Sequence, residues 1–133
     1  MSFSEPTPSS AIEKIDLLPD KQAYKNFTFS SCVRAGDFIF TSFQAADPSG
    51  DIERQTEQCF EYLAETIAAA GATLEDVVKV TVPIKDKADF QGMDDVYKRQ
   101  FKTGYPARIT AIVTGFIDEG GRAQIDTVAY KPK

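Results

Sequence analysis

The run Pro106-Ala107-Arg108-Ile109-Thr110-Ala111-Ile112-Val113 sets one cation at the opening of an otherwise apolar strand. A guanidinium cannot shed its charge, so it must meet an anion or water. Its planar fork fits a carboxylate through two parallel hydrogen bonds, which fixes position and orientation together. Two partners satisfy it: the carboxylate of a small metabolite, or a neighbouring Asp or Glu across an oligomer interface. Histidine is absent from the 133 residues, which removes the commonest general base at neutral pH and the commonest metal ligand. Cys32 and Cys59 alone cannot build a metal site, and neither stands beside a group that would activate its thiol. Chemistry here runs on carboxylates, hydroxyls, backbone groups, bound water and Arg or Lys.

The elements that must position Arg108 are legible from period and punctuation. Two extended runs, Phe27–Val33 and Asp37–Ala45, are joined through Ala35-Gly36; in the second, Phe38, Phe40 and Ser42 share one face and Ile39, Thr41 and Phe43 the other. Asp47-Pro48-Ser49-Gly50 is a turn, after which Asp51 caps a helix running to about Ala70, with Ile52, Cys59, Phe60, Leu63 and Ile67 as its buried stripe and Gly71 as its stop. Asp76–Ile84 reads as a strand, and Asp86 as the cap of a second helix to about Phe101 with Phe90, Met93, Tyr97 and Phe101 on one side. Ala107–Phe116 and Arg122–Tyr130 read as a hairpin around Asp118-Glu119-Gly120-Gly121. The segment Ile12–Asn26 reads as irregular, broken by Pro19. The order β-β-α-β-α-β-β predicts an α+β domain with two helices on one face of a mixed sheet. The apolar residues left on the other face call for self-association.

Composition narrows the function classes. Residues 1–133 read as one domain, with a mobile Ser- and Pro-rich tail over about residues 1–12. Hydrophobic content of 42% with 26% charged residues belongs to a globular chain. The net charge of -5, with no basic run, argues against nucleic acid as the partner. No stretch approaches a membrane span, and the N-terminus has neither the basic nor the apolar region of a secretory signal, so the expected location is the cytoplasm.

Taken together, GDFIFTSFQAADPSGDIERQTEQCFEYLAETIAAAG, DVVKVTVPIKDKADF, VYKRQF, PARITAIVTGF and QIDTVAY resemble the RidA (YjgF-type) enamine/imine deaminase family from about Val33 to Tyr130. The resemblance implies a chorismate-mutase-like fold and a homotrimer with its sheets facing inward and its sites in the clefts between subunits. It implies hydrolysis of enamines and imines of small carboxylic acids to 2-keto acids and ammonia, with no metal and no organic cofactor. It gives Arg108 the substrate carboxylate, and it places Ser42, Phe43, Phe29 and the backbone near Thr110 along the same cleft. Gln124 or Asp94 is left to handle the water.

Four positions depart from the family's pattern. Phe43 stands where a Gly is customary, Phe29 where a Tyr often faces the substrate, Asp94 where the second helix carries an Asn, and Gln124 where a Glu helps to position water; Asp126 remains as that motif's second acid. Gln can orient a water but cannot take its proton. Each position also has an ordinary reading: core packing for the two Phe, a solvated helix face for Asp94, an interfacial hydrogen bond for Gln124. Two rivals follow, a metabolite-binding protein without catalysis and a specialised hydrolase or deaminase for a bulkier substrate, the latter suggested by the aromatic ring of Phe43.

Overall fold

The computed structural model describes residues 11–17 and 28–133. Residues 1–10 of the expected tail, the break at Pro19 and the start of the first extended run at Phe27 lie outside them; the tail does not reach residue 12, because Ile12 is in a strand. Strands β1 (Ile12–Ile15), β2 (Cys32–Ala35), β3 (Phe38–Thr41), β4 (Gln44–Ala45), β5 (Val77–Ile84), β6 (Ala107–Ile112) and β7 (Gln124–Tyr130) form one sheet in the order β1-β2-β3-β7-β5-β6, with β4 pairing to β7. Among the described strands β5 and β6 pair in parallel and every other pair is antiparallel. Parallel neighbours need a crossover, and helix α2 (Phe90–Lys98) supplies it.

Helix α1 (Ile52–Ala69) starts where Asp51 accepts the Arg54 N–H at 2.8 Å, which satisfies one of the free amides of the first turn. It stops where Gly71 takes φ +90°, a conformation Cβ-bearing residues rarely adopt, and donates to the Ala68 carbonyl at 3.0 Å. The buried Arg34 closes this helix end: its Nε and Nη2 donate to the Ala70 carbonyl at 3.3 and 3.1 Å, and its Nη1 to those of Gly36 and Lys131 at 2.9 and 2.8 Å. Cys59, Phe60, Leu63 and Ile67 of α1 and Met93 and Tyr97 of α2 pack on Ile39, Val80, Val82, Ile84, Ile125 and Ala129 of the sheet. The core therefore lies between both helices and one sheet face, as the pattern predicts. Phe38, Phe40, Ile109 and Tyr130 remain 44–49% exposed on the other face.

Three local expectations are overturned. Ala107–Phe116 and Arg122–Tyr130 do not form a hairpin: β5 lies between β6 and β7, so the Asp118–Gly121 turn joins strands that are not neighbours. The start of Ile12–Asn26 is not irregular, because β1 pairs with β2 from Ile12 opposite Ala35 to Ile15 opposite Cys32. The second helix is shorter than expected. Asp86 accepts from Ala88 N–H at 2.9 Å and caps a 3-10 turn at Lys87–Asp89; α2 ends at Lys98, although Phe101 still packs on the core.

Candidate active site

Arg108 sits on β6, the edge of the sheet, paired with Val80 and on the helix-facing side. Its Nη1 donates to Asp94 Oδ1 at 2.7 Å, and the guanidinium carbon stands 4.5 Å from the centre of the Tyr97 ring and 5.8 Å from that of Phe90. One partner of the guanidinium is therefore Asp94, an acid of the same chain. Asp94 also meets Lys98 Nζ at 3.7 Å through Oδ2. These residues share one face of α2, because 90, 94, 97 and 98 recur at helical spacing. An ion pair that is three-quarters buried, over an aromatic ring, holds the guanidinium in one orientation.

The guanidinium keeps further N–H groups beyond the one given to Asp94. It lines a cavity of about 440 Å³ with Asp94, Tyr97, Lys98, Tyr105 and Pro106, a size suited to one small metabolite. Beyond Phe90 lies a second cavity of about 410 Å³ lined by Ile84, Phe90, Thr110 and Ile112 among others. The Thr110 hydroxyl is buried with no hydrogen-bond partner. Val113 N–H donates to the Ile84 carbonyl at 2.9 Å; in a period-two ladder this turns the backbone groups of Arg108 and Thr110 away from β5, toward the open edge. The strand that carries Arg108 therefore also offers outward backbone donors and acceptors.

The remaining candidates lie elsewhere on the chain. Gln124 and Asp126 are on β7, on the sheet face opposite the helices, and burial pushes the Asp126 carboxyl above its usual range, against the hydrogen bond from Thr81. Ser42, just past β3, donates to the Ser30 carbonyl at 2.6 Å. Phe43 is 46% exposed and Phe29 is 60% exposed, so neither belongs to the core of the chain. Two strands, β7 and β5, separate β3 from β6. One chain thus brings Arg108, Asp94 and Thr110 together but not Ser42, Phe43, Phe29 or Gln124.

The sequence reading missed Tyr97, Lys98 and Tyr105 as site residues. Tyr97 was legible only as part of the apolar stripe of α2, although its spacing from Asp94 was the available signal. Burial raises its phenol above the usual range. Both cysteines are inert by placement: burial pushes Cys59 up to about 12 and also raises Cys32. Among the described residues no group of acids and cysteines is arranged to hold a metal ion, and no helix is long and apolar enough to cross a membrane.

Residues 21–131 match the family described as Endoribonuclease L-PSP, the YjgF/RidA family. The chain belongs to that family. A RutC family protein of Pyrococcus horikoshii is 37% identical over 110 residues, covering 77% of this chain and 86% of that one. The 2-iminobutanoate/2-iminopropanoate deaminase of Capra hircus is also 37% identical over 110 residues, covering 77% of this chain and 80% of its own. The crystal structure of Escherichia coli TdcF with bound serine superposes with a TM-score of 0.73 at 26% identity, covering 77% of this chain and 87% of the other. The α+β arrangement of two helices on a mixed sheet is that of the YjgF/RidA family.

Proposed function

We propose that this protein hydrolyses enamines and imines of small carboxylic acids to 2-keto acids and ammonia. The observation that carries the reading is Arg108, held by Asp94 and Tyr97 at the wall of a metabolite-sized cavity with N–H groups to spare. The deaminase name of the Capra hircus relative and the serine bound to TdcF support a small carboxylate as ligand.

The chemistry asks little of the protein. Protonation of the enamine carbon gives an iminium whose carbon is electrophilic; water adds, a proton moves to nitrogen, and ammonia leaves as the carbonyl forms. The protein must orient the substrate, present the water and move protons. Arg108 fixes the carboxylate, and the outward backbone groups at Thr110 offer donors and acceptors beside it. Asp94 is engaged by two cations, so water handling falls to Gln124, which orients a water while the substrate nitrogen takes its proton.

We further propose that the site closes between copies of the chain in a homotrimer. Arg108 lies on the edge strand and Ser42, Phe43 and Gln124 on the far side of the sheet, so a second copy across that edge is what would unite them. The half-exposed Phe38, Phe40, Ile109 and Tyr130 supply an apolar face for such packing.

The test is the rate of 2-iminopropionate hydrolysis, the imine being generated in situ by an amino-acid oxidase and the keto acid and ammonia both measured. Acceleration over the enzyme-free rate supports the reading. No acceleration, together with saturable 2-keto-acid binding, would overturn it in favour of a carrier or sensor.

A further inference from the structure

The cavity beside Arg108 contains three charged groups, and their arrangement bears on which carboxylates it admits. Asp94 touches both cations, Arg108 at 2.7 Å and Lys98 at 3.7 Å, one with each carboxylate oxygen. All three line the same cavity, with Tyr97, Tyr105 and Pro106 completing the wall. Summing one Arg, one Lys and one Asp leaves a single net positive charge. That charge balances one carboxylate and leaves none for a second. Without Asp94, Arg108 and Lys98 would present two cations from one wall.

We infer that Asp94 is a specificity-determining residue that confines the site to substrates with one carboxylate by neutralising Lys98 and standing where a second carboxylate would bind. This rests on the proposed role of Arg108 as the anchor of the first carboxylate. A dicarboxylate held there must set its second anion against Asp94 within the same small cavity, and like charges so juxtaposed across a partly buried contact are strongly disfavoured. Asp94 thus does two things with one carboxylate. It orients the guanidinium, and it pairs with the neighbouring ammonium.

The two roles separate by experiment. Affinities of 2-oxobutanoate and 2-oxoglutarate, one carboxylate against two, are measured by calorimetry for the wild type, Asp94→Asn, and the double variant Asp94→Asn/Lys98→Met. Asn keeps the size of the side chain and a hydrogen-bond acceptor for Arg108 but removes the charge. The wild type should prefer the monocarboxylate; Asp94→Asn should shift the ratio toward 2-oxoglutarate by about tenfold or more; the double variant should lose most of that shift. If Asp94 only positioned Arg108, both ligands would weaken together and the ratio would stay put. An unchanged ratio in Asp94→Asn, or a shift that survives the loss of Lys98, overturns the inference. Because the readout is equilibrium binding, it stands apart from the turnover assay, whose failure alone would remove the catalytic reading and leave this one in place.

Discussion

Replacing Tyr97 by Phe isolates one polar atom beneath the candidate site. The ring of Tyr97 packs against Phe60 at 5.8 Å, Phe101 at 5.1 Å and Tyr105 at 6.3 Å, and carries the Arg108 guanidinium at 4.5 Å. Phe keeps all four contacts. What it removes is the phenol oxygen, which is buried and has no hydrogen-bond partner. An unpaired buried polar group costs about 1–3 kcal/mol, so Tyr97→Phe should stabilise the fold by about 1 kcal/mol, a rise of roughly 3–5 °C in Tm for a chain of this size. A second signature separates this from a general packing effect. Burial raises the Tyr97 phenol above the ordinary tyrosine value of 10.0. The folded state therefore holds that proton more tightly than the unfolded one, and stability is present below pH 10 and lost as pH rises through the folded value. Tyr97→Phe should remove that part of the alkaline loss. Differential scanning calorimetry between pH 7 and 11 reads both effects. A Tm that falls at neutral pH, or an unchanged alkaline slope, would refute the reasoning and show that the hydroxyl has a partner.

Two other outcomes follow from the structure. Arg34→Met removes the side chain that donates to the carbonyls of Ala70, Gly36 and Lys131, and should destabilise the protein by about 3 kcal/mol in urea unfolding; a loss below about 1 kcal/mol would show those bonds to be replaced by water. Asp126→Asn removes a carboxyl that burial holds above its usual range, so the wild type should lose stability as pH climbs from about 4 through the folded value, and the variant should be flatter there when Tm is followed from pH 4 to 7.

What was legible in the sequence was local. Asp51, the stripe from Ile52 to Ile67 and Gly71 mark α1 without ambiguity, because cap, period and stop all agree over 18 residues. The face assignments in β3 also hold, with Ile39 and Thr41 buried and Phe38 and Phe40 exposed. Turn chemistry misled between Phe116 and Arg122, since Gly120-Gly121 reports a chain reversal but not which strand lies beside the next; the insertion of β5 between β6 and β7 is a non-local choice. Strand β1 was hidden because Ile12-Glu13-Lys14-Ile15 is short and three of its residues are exposed, so no alternation signals it. In the site, Arg108 stood out as a charge in an apolar run. Asp94 did not, because its polar type on a helix fits solvent equally well, and only the crossover from β5 to β6 turns it onto the guanidinium.

Arg108 carries the whole account, and the most direct test of it is the kcat/KM for 2-iminopropionate hydrolysis by the wild type, Arg108→Lys and Arg108→Ala. A bidentate, charge-assisted anchor predicts a loss of about a hundredfold or more in the Ala variant, with Lys, which keeps the charge but not the fork, still down by about tenfold. Turnover by Arg108→Ala equal to that of the wild type would contradict the claim that this residue holds the substrate.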